Sequence, residues 1–397
     1  VIPVAEARAR ILETFTHLPA EQISISEAAG RVLAAGVTSR VTKPPYPVSA
    51  MDGYAVRAAD VAAVPVDLRV VGEAPAGSAY GAVLGNGEAV RIFTGGPVPD
   101  GADAIVIQEN TTRDGEIVTI NTSAAEGLYV RRKGLDFTVG DPGPTAGRRL
   151  GPREIALIAA MNVPWLKVTR RPRVAIVGTG DEIVMPGEPL GPNQIVSSNS
   201  LALAAIVAEA GGEPVNLGIA TDDEDALREI VHGAARADLF VITGGISVGE
   251  HDLVRAVLAE EGLDLDFWKI AMRPGKPLAF GMLGATPMLG FPGNPVSALV
   301  CGHLFLRPAI GAMLGESEAD GGTDHAVLGE GLGANDERQD YMRATLARGE
   351  TGDFVATPFS RQDSSMLATL AAASCLIVRP PHALPALAGE RVEIIRF

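Results

Sequence analysis

Apolar residues near the start of the chain recur at helical spacing, with Val4, Ile11, Leu12 and Phe15 on one face. Ser24-x-x-Glu27, just ahead of Ala28 to Leu33, has the form of a capping box and predicts a second helix. The Pro44-Pro45-Tyr46-Pro47 cluster ends this rhythm. From Met51 to about Val130 the pattern becomes short Val- and Ile-rich runs separated by Gly, Asn and Pro, which predicts a β-rich domain. After the Asp141-Pro142-Gly143-Pro144 turn, Pro152 to Met161 reads as an Ala-rich helix with proline at its first position. Helical segments thus flank the β region. They predict a split helical domain (1–43 and 139–168) carrying an inserted β-rich domain (44–138).

From Arg173 the pattern alternates strand, glycine turn and helix. Val174 to Val177 precedes Leu201 to Ala210, Val215 to Ile219 precedes Glu224 to Ala235, Leu239 to Ile242 precedes Leu253 to Glu260, and Met288 to Phe291 precedes Pro295 to Leu314. This order predicts a doubly wound α/β domain (169–314), a parallel sheet covered by helices on both faces. Beyond residue 315 short strands return, including Cys375 to Val378 and Val392 to Ile395, as a C-terminal β-barrel-like domain (315–397). The fold class expected is therefore multidomain α/β. Pro277 to Gly302 carries no charge and is long enough to span a bilayer. Its Gly284-Ala285-Thr286-Pro287 and Gly290-Phe291-Pro292-Gly293-Asn294-Pro295 breakers make it core instead.

Composition narrows the partners. A formal charge of −15 argues against nucleic acid or an anionic membrane, because phosphate backbones recruit clustered Lys and Arg. The two cysteines, Cys301 and Cys375, lie in apolar runs, which suits a reduced cytoplasmic protein. Histidines 17, 232, 251, 303, 325 and 382 lack the spacing of a zinc site. The N-terminus has no basic-then-apolar signal pattern.

Candidate chemistry gathers at the strand ends of the α/β unit. Gly178-Thr179-Gly180-Asp181-Glu182 closes the first strand, and its glycines permit close approach of backbone N–H groups to an anion. A dinucleotide fingerprint would need a third glycine at position 183, which is Ile183. The third strand opens into Thr243-Gly244-Gly245-Ile246-Ser247-Val248-Gly249-Glu250-His251-Asp252, a glycine and hydroxyl loop leading into a helix. At Pro292-Gly293-Asn294-Pro295, capping alone would explain Asn294 and Pro295.

Carboxylates crowd the same ends: Asp181, Glu182, Asp222, Glu250 and Asp252. Two like charges 4 Å apart near a surface repel by about 4 kcal/mol, whereas a helix N-terminus offers an anion about 0.3 to 1 kcal/mol. A bare phosphate would be rejected, and a hard cation such as Mg²⁺ reverses the sign. Asp223 and Asp225 read instead as solvated N-cap acids. Arg273-Pro274-Gly275-Lys276-Pro277 supplies two positive groups on a stiff loop. Two further clusters are Ser49 to Ala55, with an Asp52-Gly53 turn signal, and Arg91 to Pro97, with Thr94-Gly95-Gly96 after a strand.

Taken in order, SAMDGYA, GTGDE, GGISVGEHD, PGKP and FPGNPVSA resemble the molybdopterin molybdenumtransferase family, which includes the C-terminal domain of gephyrin. The resemblance runs from Pro44 to Met366, nearly the whole chain. It implies four subdomains, an elongated homodimer, and an active site in a cleft between subunits. The implied reaction inserts molybdate into the dithiolene of adenylylated molybdopterin, with release of AMP and a requirement for Mg²⁺ or another divalent cation. Carried over by motif, Asp52, Thr94, Asp136, Arg273, Lys276 and Ser364 are the expected catalytic residues. Gly178, Thr179, Gly180, Gly244, Gly245, Ser247, Gly249, Pro292 and Asn294 are expected to bind the cofactor, and Glu182, Asp222 and Asp252 the metal. Implied partners are the preceding adenylyltransferase and apo-molybdoenzymes. Departures from the family pattern are Arg273 for Lys, Leu135 for Glu, Gly96 for Ala and Asp363 for Gly. Two other readings are the adenylyltransferase itself, whose family resembles the α/β unit alone, and a cofactor-binding scaffold without turnover.

Overall fold

The computed structural model describes residues 1–221, 223–245, 253–317, 322–349 and 352–397. At its centre is a six-stranded sheet in the order Glu213–Ala220, Arg173–Thr179, Leu239–Thr243, Thr286–Phe291, Ala279–Leu283, Leu263–Phe267. The first four strands are the anticipated ones and run parallel. The last two alter the picture, because Ala279–Leu283 is antiparallel to both its neighbours and the sheet is mixed. Gly284, at φ +60, opens a tight hairpin between Ala279–Leu283 and Thr286–Phe291, and a hairpin joins strands antiparallel only.

Alternation along the inner strands explains the double winding. Val174 and Ile176 face one core with Leu203 and Val207 of helix Asn199–Glu209 and with Pro295–Leu314. Ala175 and Val177 face the other, with Leu227 and Val231 of Glu224–Ala234 and Val254 and Val257 of Leu253–Glu260. Pro295–Leu314 is long and apolar enough to cross a membrane, but most of it is buried in this core. Helix Val4–Thr14 also docks here, burying Val4, Ala7 and Ile11.

The second N-terminal helix does not form. Ser24 accepts from the Ser26 N–H, but only a 3₁₀ turn, Ile25–Glu27, follows. The backbone of 28–33 bonds elsewhere: Gly30 N–H reaches Leu150 O (2.8 Å) and Leu33 N–H reaches Arg148 O (3.1 Å), with Gly30 at φ +73. Tertiary pairing has overridden a local signal. Strands Ala20–Ser24 and Trp165–Thr169 pair antiparallel beside the anticipated helix Pro152–Ala160, around Leu33, Leu150, Ile158 and Val168.

The β-rich region is a six-stranded sheet in the order Ala104–Ile107, Gly53–Val56, Glu88–Ile92, Val66–Ala74, Ile117–Ile120, Thr111–Asp114. At the C-terminus, Gln339–Arg348, Phe354–Pro358, Asp324–Leu328, Arg391–Arg396 and Cys375–Arg379 pair in sequence around a closed barrel, Cys375–Arg379 returning to Gln339–Arg348. Met272–Arg273, from the α/β unit, adds to that barrel beside Gln339 and Asp340.

Candidate active site

Strand register builds the first cluster. Gly53 lies opposite Ile92 on the antiparallel neighbour, so one step further Asp52 reaches the turn after that strand. Its carboxylate accepts from the Thr94 N–H (2.7 Å) and from the Thr94 hydroxyl (2.8 Å). Those two hydrogen bonds, the backbone one foremost, hold Asp52 below the ordinary carboxylate value, with the charge of Arg91 adding to the effect. Arg91 is itself fixed, donating to Gly53 O (2.9 Å) and Gln108 Oε1 (2.6 Å) and lying over the Phe93 ring. Gly53 serves close strand packing rather than a turn: a Cβ there would sit 2.0 Å from Val106 O. Gly96 is equally constrained, since a Cβ would meet Ala74 O at 2.4 Å. Asp136 is exposed and pairs with Lys43 at 3.6 Å, beside an exposed Leu135.

The second cluster is the carboxyl edge of the parallel strands. The chain passes from Arg173–Thr179 to Glu213–Ala220 on one side, then to Leu239–Thr243 on the other, so the order reverses between GTG and TGG. Crevices at such switch points are where open α/β sheets bind ligands. Gly178 lies opposite Thr243, and Thr243 opposite Phe291, which brings all three glycine turns side by side. Gly244 (φ +90) and Gly245 (φ +57) pack directly on Thr179: Cβ atoms there would come within 2.5 Å of Thr179 O and Oγ1 respectively. Thr179 is 2% exposed, and its hydroxyl has no hydrogen-bond partner among the described residues. The Glu182 carboxylate folds back over Gly180, whose Cβ position is 2.4 Å from Glu182 Oε2. Asp223 is an N-cap, as read, accepting from Ala226 N–H at 2.9 Å.

Two neighbouring loops close on this edge. Asn294 occupies the N-cap of the helix that begins at Pro295, yet its side chain makes no cap hydrogen bond, so capping does not explain it. The Val296 N–H is met instead by Ser364 O (3.0 Å), which places the C-terminal domain's serine loop against that helix start. That loop is pinned by a residue that no local pattern marks. Arg343, 1% exposed, donates to Met366 O (3.1 Å) and to Gln362 Oε1 (3.2 Å). Asp363 turns onto Ser365, accepting from its hydroxyl and N–H at 2.6 and 2.8 Å, and is held ionised by them.

The cationic loop divides. Arg273 is committed to Asp340 and to Asp336 (3.3 Å), latching the loop onto the barrel. Lys276 is exposed, with no ion pair among the described residues. Gly275, φ +109, lies where a Cβ would strike Cys301 Sγ at 2.6 Å.

Asp222, Ser247, Gly249 and Asp252 lie outside the described residues. Among the described residues no three acids or histidines converge on a point, and no hydrogen bond or ion pair joins the Asp52–Thr94 corner or Asp136 to the strand ends. A cavity of about 400 Å³ lies elsewhere, between helix Val4–Thr14, Pro295–Leu314 and the barrel, and none of the residues expected for chemistry lines it. Besides Arg343, sequence reading missed Asn199, whose amide donates to Thr243 Oγ1 (3.1 Å) and Gly293 O (2.8 Å). Its setting in Ser197-Ser198-Asn199-Ser200 looks like an ordinary helix start.

Comparison with known proteins covers the chain end to end. The family models described as MoeA N-terminal region (domain I and II), probable molybdopterin binding domain, and MoeA C-terminal region (domain IV) match residues 2–162, 175–312 and 325–397. A Nostoc protein named molybdopterin molybdenumtransferase is 44% identical over 298 residues, 73% of this chain and 68% of that protein. One of the same name from Haemophilus influenzae is 33% identical over 402 residues, 100% of this chain and 99% of that one. Among solved structures, a molybdopterin biosynthesis moeA protein from Pyrococcus horikoshii superposes with a TM-score of 0.87 at 27% identity, covering 100% of both chains.

Proposed function

The chain belongs to the molybdopterin molybdenumtransferase family, and from that premise we propose that it inserts molybdate into the dithiolene of adenylylated molybdopterin and releases AMP. The observation that carries the reading is the switch-point edge, where strand register sets the three glycine turns side by side and the exposed Asp181 and Glu182 follow directly on the first of them. Gly178, Thr179, Gly180, Gly244 and Gly245, continued in sequence by Ser247 and Gly249, let phosphate oxygens approach the backbone closely, the Gly180 and Gly244 N–H groups themselves being committed to Ala220 O (3.3 Å) and Phe291 O (3.2 Å). Pro292 and Asn294 border the same ligand.

The residues present suit a divalent cation. Glu182 offers exposed hard oxygens, and Asp222 and Asp252, at neighbouring strand ends in sequence, complete the set. Such an ion, Mg²⁺ in the first instance, supplies charge neutralisation to the phosphoanhydride when bound. The chain's own contribution is positioning and electrostatics. Asp52, oriented and kept anionic by Thr94, presents a fixed acceptor, and Asp136 extends that acidic wall. Lys276 offsets anionic charge, Arg273 holds its loop in place, and Ser364 presents a hydroxyl to molybdate. Neither cysteine is a nucleophile, because burial pushes both thiols up, Cys375 to about 11.

The homodimer that the family resemblance implies brings one subunit's Asp52–Thr94 corner to the other's strand-end edge. Free buried thiols fit the cytoplasm. The adenylyltransferase and apo-molybdoenzymes are the partners such a step requires.

The test supplies adenylylated molybdopterin, molybdate and Mg²⁺ and follows AMP release together with activation of an apo-molybdoenzyme. Both are expected, and both fall by about a hundredfold or more in Asp52→Asn and Glu182→Gln. Adenylylation of molybdopterin from ATP would point to the preceding step instead, and saturable binding without AMP release under any cation to a scaffold.

A further inference from the structure

We infer that Asn199 is a positioning residue that locks two ligand-binding loops of the α/β unit to one another. It opens helix Asn199–Glu209, a third segment, separate from both loops in sequence. One hydrogen of its amide goes to Gly293 O (2.8 Å) and the other to Thr243 Oγ1 (3.1 Å). The Thr243 hydroxyl, in a side chain 3% exposed, donates onward to Pro292 O (3.3 Å). The direction of this chain is forced: the Pro292 and Gly293 oxygens only accept, so the single Thr243 hydrogen points to Pro292 and its lone pair takes a hydrogen from Asn199.

The strand ladder that sets Thr243 opposite Phe291 brings the two loops together, and beyond it the side-chain hydrogen bonds that link them among the described residues are those of this chain. Their contact is backbone to backbone, with the Gly244 N–H on Phe291 O at 3.2 Å and the Cβ position of Gly293 at 3.7 Å from Gly244 Cα. Two glycines cannot interdigitate side chains, so past the last ladder pair it is the hydrogen-bonded chain through Asn199 that holds the Gly244-Gly245 turn against the Pro292-Gly293-Asn294 turn. Asn199 therefore tunes ligand affinity without having to touch the ligand. This rests on the reading that these turns hold adenylylated molybdopterin.

Asn199→Asp keeps the size and removes both donors, setting carboxylate oxygen against carbonyl oxygen. Thr243→Val removes the middle of the chain, and Thr243→Ser preserves it. In steady-state AMP release by the full-length protein, Asn199→Asp and Thr243→Val each raise the KM for adenylylated molybdopterin by about tenfold or more. Their combination is no worse than the worse single variant, because one chain is broken once. Thr243→Ser stays near wild type. A purely structural role would lower the Tm of the variants and leave KM unchanged for the folded protein. A KM for Asn199→Asp within twofold of wild type, or multiplicative effects in the double variant, overturns the inference. Should wild type itself release no AMP, the proposed function fails, and hydrogen exchange over 239–245 and 288–296 still decides the brace. Loss of protection in both segments together in Asn199→Asp supports it, and protection retained in either one overturns it.

Discussion

The Asp52 corner and the strand-end edge hold their functional groups by opposite means. At the corner the side chains are finished: Asp52 already has two donors from Thr94, Arg91 is fixed by Gly53 O and Gln108, and one pair of neighbouring strands supplies nearly all of it. At the edge the backbone is finished and the side chains are not. Gly244 and Gly245 are packed against Thr179, the loops are tied through Asn199, and the Thr179 hydroxyl and Asn294 side chain remain without described partners. A preformed acid suits chemistry that must not depend on the ligand for its geometry. A rigid frame that leaves the exposed Asn294 amide unsatisfied suits binding, where the ligand completes the hydrogen bonding.

Several substitutions would break or sharpen that contrast. The largest effect is expected from Gly53→Ala, whose Cβ would meet Val106 O at 2.0 Å and Ile107 Cα at 2.9 Å, both backbone atoms of the adjoining strand. It should cost about 3 kcal/mol in urea denaturation. Hydrogen exchange should localise the damage to the β-rich region and leave AMP binding at the edge intact. Gly244→Ala should cost about 2 kcal/mol, from its φ of +90 and a 2.5 Å approach to Thr179 O, and should lose ligand binding along with stability. If Gly53→Ala abolished AMP binding as well, the two regions would not be separable.

Thr94→Val is milder, because the backbone N–H stays and only the hydroxyl bond goes, and AMP release should fall by about fivefold. It also carries a pH signature. With its value depressed, Asp52 contributes stability that is present above the ordinary carboxylate range and lost as pH falls through the lowered value. In Thr94→Val that loss should begin at higher pH, read as an upward move of the Asp52 carboxyl titration by NMR. Smallest is Asp363→Gly. Removing a carboxylate that Ser365 keeps ionised should lower the KM for molybdate by about fivefold or less, because solvent screens an exposed charge.

Sequence pattern carried the two regions unequally. Helix starts at Pro152 and Pro295, and the strands ending at Thr179 and Thr243, were legible because their signals are local: proline at a first turn, apolar runs, glycine after a strand. The Asp52–Thr94 contact was nameable only as two motifs, since the register joining them spans 42 positions. Asn199 and Arg343 left no mark at all, one resembling a helix cap and the other a surface arginine. Their roles exist only once distant loops are brought together. The segment 28–33 misled in the other direction, because Arg148 and Leu150 compete for the N–H groups that a helix would have used. The mixed edge of the central sheet was missed for a similar reason: the Leu-Asp alternation of 263–267 has meaning only beside Ala279–Leu283.

The measurement that tests most directly whether corner and edge serve one site is complementation between two inactive variants. Asp52→Asn damages only the corner, and Glu182→Gln only the edge. Co-expressed with different tags and purified as mixed dimers, they should regain AMP release that neither variant has alone, because one of the two clefts then pairs an intact corner with an intact edge. Mixed dimers no more active than either parent would contradict a site shared between the two regions across subunits.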